Sequence, residues 1–385
     1  MFGAALRCGL CLLVMVSVVL GGCSTPGPSA QPNLVGIGPG TGPAALAYSP
    51  DGALLVDFRR FYNELVVQDA RTLEARHRIK GRDAPTAGAF ASISFTPDGR
   101  TVAVAGLDDQ LTVWNVALWT ELRRFPETRG VTGAVIFPDG RMVAAAGPDD
   151  FARLWDVESG VEVGRLAGHA GALTSIALSP DAKTLATGSM DRTVRLWNVE
   201  SRELIATLEG HVAPIMSLSF SPDGKALAST AACFDVRLWQ AREVDRAATP
   251  LIDPGSETAA RRSGLIANRA AIFLLTLPIF PLGLSVMPAG VDYLNPAFVC
   301  PIAYSPDGRM LAMLHHLEDS ATAKAYKIEV YDPAVQSRIS TYAGAFFGGF
   351  SGALAFSPDG TTLAMGGITK VIFLDPRTGE ERRRQ

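Results

Sequence analysis

The sequence predicts an all-β protein that is built from seven copies of one unit. A turn signal, in which proline and aspartate are followed by glycine or once by alanine, returns seven times, and its prolines lie 47, 41, 42, 42, 84 and 52 residues apart. The 38 glycines and 25 prolines are scattered in short turn signals, which favours many brief strands over long helices. The repeated signal occupies residues 49–52, 96–99, 137–140, 179–182, 221–224, 305–308 and 357–360.

Each unit has the pattern of a small four-stranded sheet. The segment "IMSLSFSPDG" carries apolar residues at alternate positions, Met216, Leu218 and Phe220, and therefore predicts an inner strand that ends in the turn. The segments "KALAST" and "VRLWQ" predict the next two strands, and segments such as "LIATLEG" predict the outer strand.

Aromatic and histidine residues recur at fixed places in these units. Tryptophan follows the turn proline by seventeen residues in four of them, at Trp114, Trp155, Trp197 and Trp239. At the place of the tryptophan and the residue after it, the other three units have the degraded pairs Gln68-Asp69, Tyr331-Asp332 and Leu374-Asp375. Glycine-histidine pairs stand at Gly168-His169 and Gly210-His211. With a period near 42 residues, the pattern resembles the WD40 repeat over about residues 33–378, apart from residues 271–287. The resemblance implies a seven-bladed β-propeller, with one blade per unit.

The same resemblance implies a hydrogen-bonded chain within a blade, formed by a histidine, a strand hydroxyl, a loop aspartate and the tryptophan. Only the fourth unit carries all four residues, as His169, Ser189, Asp191 and Trp197. In the fifth unit Cys233 stands six residues before the tryptophan, where the aspartate is expected. We therefore expect the fifth blade to lack the complete chain.

The last blade of the ring also needs an outer strand. The third strand of the seventh unit is soon followed by the tail 382–385, which is too polar for an outer strand. Residues 33–38, "NLVGIG", precede the first unit and have no other partner. By resemblance to WD40 proteins, we expect this N-terminal strand to complete the seventh blade, which leaves few strand edges exposed.

An apolar insertion of about residues 241–294 separates the fifth and sixth units. Its 22 uncharged residues, 270–291, are long enough to cross a bilayer, but a spanning helix would divide the blades between two sides of the membrane. Prolines also interrupt the run, which argues against a continuous helix. We expect the insertion to return and supply the outer strand of the fifth blade through residues 282–287, "LGLSVM". The alternative is an eighth, degenerate blade.

The N-terminus predicts a targeting segment. Residues 1–22 contain Arg7 and a thirteen-residue apolar stretch, as a signal peptide does. The sequence Leu20-Gly21-Gly22-Cys23 resembles the lipobox of bacterial lipoproteins, which implies acylation of Cys23 and anchoring in the bilayer. Ser24 rather than aspartate follows the cysteine, and by the same resemblance this favours the periplasmic face of the outer membrane. Residues 23–32 then form a flexible tether, and residues 33–385 form the propeller domain.

Residues that could carry chemistry are few. The net charge of −3 gives no reason to expect nucleic acid as a partner, and no phosphate loop, hydrolase elbow or zinc helix is visible. His315 and His316 are adjacent, so on a strand they point to opposite faces and are poorly placed to share a metal ion. The sequence therefore predicts no enzyme, cofactor or metal. Cys233 and Cys300 are either free thiols or a disulfide.

Paired aspartates stand on corresponding loops of neighbouring units, Asp108-Asp109 and Asp149-Asp150. One interpretation is a structural aspartate with a solvated neighbour, and the other is an acidic rim that binds a partner. The function expected from all these features is a lipid-anchored, non-enzymatic scaffold for other proteins of the cell envelope. The alternative is an envelope enzyme, or a protein that binds a glycan or small ligand, with its site at the central channel.

Overall fold

The computed structural model describes residues 44–59, 62–82, 91–231, 235–240, 249–250, 301–317, 324–346, 353–366 and 371–382. These residues contain 27 strands, β1 to β27, which form seven antiparallel sheets. Two single-turn 3-10 helices, Leu107–Asp109 and Pro126–Thr128, lie among them. The prediction of an all-β protein is confirmed.

Each sheet is one blade, and its strands pair in the order in which they occur in the chain. Blades 1 and 2 contain β1 (Ala45–Tyr48), β2 (Leu54–Arg59), β3 (Glu64–Asp69), β4 (Ala75–Lys80), β5 (Ser92–Phe95), β6 (Thr101–Ala105), β7 (Leu111–Asn115) and β8 (Thr120–Phe125). Blades 3 and 4 contain β9 (Gly133–Ile136), β10 (Met142–Ala146), β11 (Phe151–Asp156), β12 (Glu162–Ala167), β13 (Leu173–Leu178), β14 (Thr184–Ser189), β15 (Val194–Asn198) and β16 (Leu204–Leu208). Blades 5 and 6 contain β17 (Ile215–Phe220), β18 (Ala226–Ala231), β19 (Val236–Gln240), β20 (Thr249–Pro250), β21 (Ile302–Tyr304), β22 (Leu311–Leu317), β23 (Lys324–Asp332) and β24 (Ser337–Phe346). Blade 7 contains β25 (Leu354–Phe356), β26 (Leu363–Gly366) and β27 (Val371–Leu374).

The first strands of the blades form a closed ring. Each of them contacts the first strand of the next blade, and β25 of blade 7 contacts β1 of blade 1. Because β17 also contacts β21 directly, no further blade lies between the fifth and the sixth. The prediction of seven blades is therefore confirmed, and the eight-blade alternative is wrong.

The up-and-down order of strands gives the ring two different faces. The turn face carries the proline-aspartate turns between first and second strands and the turns between third and fourth strands. The loop face carries the loops between second and third strands and the connections from one blade to the next. Apolar side chains pack between neighbouring blades; for example, Leu196 of blade 4 and Leu227 of blade 5, both essentially inaccessible to solvent, belong to one core cluster.

Hydroxyl groups and aspartates fix the turns of the turn face. In blade 4 the Ser179 hydroxyl donates to Asp181 Oδ1 at 2.6 Å, and Ser179 Oγ accepts from the N–H of Thr184 at 2.9 Å. The hydrogen bond from Ser179, followed by that from the N–H of Lys183, lowers the pKa of the Asp181 carboxyl. The fourth residue of the turn signal has positive φ, which glycine adopts freely and which Ala182 adopts here at 58°. Six of the seven turns have this hydroxyl, and Phe137 replaces it in blade 3.

The outer strand of blade 5 differs from the prediction. Thr249 and Pro250 pair with Leu238 and Arg237 of β19, so the position beside β19 is filled soon after that strand ends. The interpretation of residues 282–287 as this strand is wrong, because Thr249 and Pro250 hold the position beside β19 in the sheet. Residues 251–300 lie outside the described part of the chain.

The end of blade 7 also differs. After β27 the chain turns, Glu381 forms a β-bridge to Leu374, and the N–H of Arg382 donates to the Phe373 carbonyl at 2.8 Å. Arg382 is therefore not too polar to run beside β27, because its guanidinium extends outward to Asp375. The N-terminal strand expected at residues 33–38 lies outside the described residues, so this part of the closure stays a prediction. In the part of the chain that the structure describes, no helix is long and apolar enough to cross a membrane.

Candidate functional site

A hydrogen-bonded chain crosses blade 4 beneath the loop face. The Trp197 indole N–H donates to Thr187 Oγ1 at 2.8 Å, Thr187 Oγ1 lies 2.8 Å from His169 Nε2, and His169 Nδ1 lies 2.8 Å from Asp191 Oδ2. A hydroxyl that accepts from Trp197 has its own proton to donate to Nε2, which leaves the imidazole proton on Nδ1 for the aspartate. His169, Asp191 and Trp197 are thus joined as the resemblance implies.

The hydroxyl of this chain was assigned to the wrong residue. Thr187, not Ser189, lies between the histidine and the tryptophan. In the register of the sheet Trp197 pairs with Leu185, so Thr187 is the next residue on the same side of β14, whereas Ser189 is two residues further away. The Ser189 hydroxyl instead donates to the Gly171 carbonyl at 2.9 Å and accepts from the N–H of Asp191 at 3.1 Å. It fixes the loop that holds the aspartate.

Blade 5 contains a second complete chain, which the sequence reasoning missed. Trp239 Nε1 donates to Ser229 Oγ at 2.7 Å, and His211 lies 2.6 Å from that oxygen and 2.7 Å from Asp235 Oδ2. The expectation of an incomplete chain is wrong because the aspartate stands four rather than six residues before the tryptophan. Asp235 is the last residue of the loop between the second and third strands of blade 5. In blade 4 Asp191 is the second residue of the corresponding loop. Cys233 lies outside the described residues.

Both aspartates are held in their charged form. Burial alone would raise the pKa of the Asp191 carboxyl, but the hydrogen bonds from His169 and from the N–H groups of Ala170 and Thr193 outweigh it and set the pKa well below its usual range. Burial opposes the charged form of Asp235 as well, and there His211 and Arg237 lower the pKa of the carboxyl. The chains therefore stabilise the blades most at neutral pH.

The glycine before each histidine leaves room for an arginine. Gly168 has a φ of 150°, and a side chain there would collide with the Arg195 guanidinium and touch the Trp197 ring at 3.4 Å. Gly210 has a φ of 130° and lies against Arg237 in the same way. Glycine is therefore favoured before the histidine, because the backbone there has a positive φ and because a side chain would have to displace the end of the arginine.

Blade 1 uses different residues at the same positions. Gln68 stands where the tryptophan is in blade 4, and its side chain donates to Asp57 Oδ2 at 2.7 Å. Asp57 is completely buried, burial raises the pKa of its carboxyl, and Arg59 lies 2.8 Å from its other oxygen. In blade 1, a glutamine and an ion pair thus take the places of the tryptophan and the hydroxyl in the hydrogen-bonded chain of blade 4.

The four aspartates of the expected acidic rim do not form one surface. Asp108 is buried, accepts from the Asn63 side chain of blade 1 at 2.8 Å and forms an ion pair with Arg124 at 2.5 Å. It joins two blades and is inaccessible to a partner, so its assignment to a binding rim is wrong. Asp109 accepts from the N–H of Gly130 at 3.2 Å, and Asp149 forms an ion pair with Arg153 at 2.5 Å. Asp150 is exposed on the loop face, which leaves the rim hypothesis with little free negative charge.

The remaining candidate residues give no site in the described part of the chain. His315 and His316 are consecutive on β22, and the described residues contain no group of three or more side chains placed to hold a metal ion. Cys23 and Cys300 lie outside the described residues.

The fold defines a seven-bladed β-propeller, and comparison with known proteins shows WD40 repeats in part of it. Four stretches match the family model "WD domain, G-beta repeat": residues 81–115, 119–156, 160–198 and 202–240. Each stretch contains the first three strands of one blade, from the second to the fifth. These four WD40 repeats, within a ring of seven blades, support the WD40 family for this chain. No curated protein matches the sequence.

Proposed function

We propose that the protein is a lipid-anchored lipoprotein of the bacterial cell envelope whose WD40 propeller is a non-enzymatic scaffold for other envelope proteins. The observation that carries the scaffold role is the closed ring of seven blades with four WD40 repeats. Such a ring holds loops at fixed positions on two faces, and rigid presentation lowers the ordering cost of binding.

The loop face of blade 5 illustrates this presentation. Val212 directly follows His211 and exposes 74% of its surface, although His211 itself is buried. The hydrogen-bonded chain through Ser229 and Asp235 therefore holds the backbone beside this exposed side chain in place.

The central channel offers less support for the alternative of a channel ligand. Hydroxyls on the inner strands bond to the backbone of the next blade: Thr132 donates to the Leu173 carbonyl at 2.9 Å, and Thr174 donates to the Ile215 carbonyl at 2.5 Å. These groups are engaged in joining blades. The scaffold role is therefore the better supported of the two.

The location rests on the lipobox at residues 20–23 and the tether at residues 23–32. Replacing Cys23 with serine is expected to block acylation and to move the protein out of the membrane fraction. Mass spectrometry of the mature N-terminus tests this directly, and an unacylated terminus at another residue would contradict the proposal.

The scaffold role is tested by crosslinking in cells. A photo-crosslinking residue at Val212 on the loop face is expected to capture envelope proteins. One at the buried position Leu196 is the negative control and is expected to capture none. If no protein crosslinks to any surface position, the scaffold role is wrong.

A further inference from the structure

A groove opens on the turn face where blade 7 meets blade 1. Its volume is about 500 Å³, within the range of pockets that bind ligands. Side chains from the turns of the two blades surround it, and those with polar groups are Tyr48, Asp51, Arg71, Ser357, Asp359 and Thr362. The groove is thus a feature of the place where the ring closes.

Two alanines of blade 1 explain why there is space at this place. The N–H of Ala70 donates to the Ala53 carbonyl at 2.9 Å, and the same backbone bond joins Val116 to Arg100 in blade 2 and Val199 to Lys183 in blade 4. Where those blades place a valine and a long basic side chain, blade 1 has two methyl groups. The missing side-chain volume lies beside Asp51, at the edge of the groove.

In two of the other blades, the basic residue that follows the turn lies near the turn aspartate. Arg100 Nε lies 3.7 Å from Asp98 in blade 2, and Lys225 Nζ lies 3.5 Å from Asp223 in blade 5. The matching positions next to the groove are Ala53 and Thr361, which carry no charge.

The two carboxylates of the groove are charged and accessible. Hydrogen bonds from the Ser49 and Ser357 hydroxyls lower the pKa of the Asp51 and Asp359 carboxyls, so both are ionised at neutral pH. Within the described part of the chain neither of them forms an ion pair. Arg71 is the one cation among the described lining residues. The Arg382 guanidinium reaches Thr362 Oγ1 at 3.3 Å, but it forms an ion pair with Asp375, so carboxylates outnumber unpaired cations in the groove.

We propose that this groove binds a basic side chain, lysine or arginine, of a protein partner. The partner's cation takes the place beside Asp51 that Arg100 and Lys225 occupy beside the aspartates of their own turns. Arg71 then donates to carbonyl oxygens of the same partner segment. This inference rests on the scaffold role and adds the chemistry of the partner.

Peptide binding to the full-length protein in detergent tests the groove. The probe is a fluorescein-labelled glycine-serine peptide with two lysines and two arginines, and the matched control peptide has glutamates in their place. Fluorescence anisotropy is expected to show that the basic peptide binds more tightly and that added salt weakens its binding.

Two variants remove the site in opposite ways. Replacing Asp51 and Asp359 with asparagine keeps the shape of the turns but removes both charges, whereas Ala53→Arg keeps the charges and supplies a cation from the protein itself. Ala53 is exposed, so arginine fits there without disturbing the core. Each change is expected to weaken binding about tenfold or more, while the matched control Asp181→Asn in blade 4 leaves it unchanged. Equal binding of the two peptides to the natural protein, or natural affinity in Ala53→Arg, would overturn the proposal.

Crosslinking in cells separates this proposal from the scaffold role. A photo-crosslinking residue at Arg71 is expected to capture a partner through a segment that contains lysine or arginine. If partners crosslink only to the loop face, the scaffold role stands and the groove proposal is wrong. If no surface position captures a partner, the scaffold role fails, and the peptide titration still decides whether the groove binds a basic side chain.

Discussion

Blades 4 and 5 differ from blades 7 and 1 in how they are held together. The first two each contain a complete chain of tryptophan, hydroxyl, histidine and aspartate, whereas Leu374 and Gln68 stand at the tryptophan positions of the other two. Each of the four nevertheless forms an antiparallel sheet with its strands in chain order, with four strands in blades 1, 4 and 5 and three named strands in the described part of blade 7. The comparison teaches that apolar packing between blades is enough to define the ring, and that the polar chains add stability to particular blades.

The inner strands repeat this difference. Thr174 and Ser175 of blade 4 bond to the backbone of blade 5, at 2.5 Å from the Ile215 carbonyl and 3.1 Å from the N–H of Leu218. The strands β1 and β25, which meet between blades 1 and 7, contain alanines and have no serine or threonine within them. The groove opens at this junction.

The largest effect is expected from removing the hydroxyl of the hydrogen-bonded chain in blade 4. Thr187→Val keeps the shape of the side chain but leaves both His169 Nε2 and Trp197 Nε1 without their hydrogen-bond partner. Because a buried polar group without a partner costs about 1 to 3 kcal/mol, we expect the free energy of unfolding to fall by about 2 to 4 kcal/mol. Urea denaturation followed by tryptophan fluorescence measures this loss.

Ser189→Ala is the matched control for that change. It removes one hydroxyl from the same strand and is expected to cost only about 1 kcal/mol, since the Ser189 hydroxyl bonds to the backbone of Gly171 and Asp191 and to neither His169 nor Trp197. If Ser189→Ala costs as much as Thr187→Val, the assignment of Thr187 to the chain is wrong.

A smaller loss is expected from filling the space before the histidine. Gly168→Ala places a methyl group against Arg195 and Trp197 and forces a non-glycine residue to a φ of 150°. We expect a cost of about 1 to 3 kcal/mol in the free energy of unfolding, measured as a lower melting temperature. Gly147→Ala on the loop face of blade 3 is the control, because the nearest atoms to the added methyl group lie at 3.9 Å. Equal losses for the two variants would contradict the packing explanation.

Much of the fold was readable from the sequence because the features that determine it are local. The proline-aspartate turn and the alternation of apolar residues recur in every unit, so the number of blades and the order of strands followed from counting. The tryptophan and histidine of blade 4 followed in the same way, since their spacing is set by strand length.

The details that sequence reasoning missed depend on loop shape and register. Asp235 takes its place because a loop of four residues can bring either its second or its last side chain to the histidine. Thr187 was missed because Thr187 and Ser189 share one side of the strand, and only the pairing with β15 decides between them. Asp108 is buried because Asn63, on another blade, reaches it. Contacts between blades cannot be predicted from the sequence of a single unit.

The pH dependence of stability is expected to have opposite signs in blades 4 and 1. The lowered pKa of Asp191 means that its contribution is complete above the ordinary aspartate pKa and is lost as the pH falls towards the folded-state value. Burial raises the pKa of Asp57, so the folded state favours its protonated form and this carboxyl contributes less as the pH rises. Unfolding free energies of Asp191→Asn and Asp57→Asn measured from neutral to acid pH test this. The loss caused by Asp191→Asn should shrink as the pH falls, and that caused by Asp57→Asn should not.

The smallest effect is expected from a link between two inner strands. Thr174→Val keeps the packing of a buried side chain and removes the donor to the Ile215 carbonyl. One lost hydrogen bond is expected to cost about 1 kcal/mol, which is too little to open the ring. Its effect should be local, because the hydroxyl joins only blades 4 and 5. Hydrogen exchange is expected to speed up at amides of β13 and β17. The amides of β1 and β25, which lie on the other side of the ring and contain no serine or threonine, are expected to keep the rates of the natural protein. If exchange speeds up equally at both junctions, the blades unfold as one cooperative unit. The difference between blades 4 and 5 and blades 7 and 1 then has no effect on their stability.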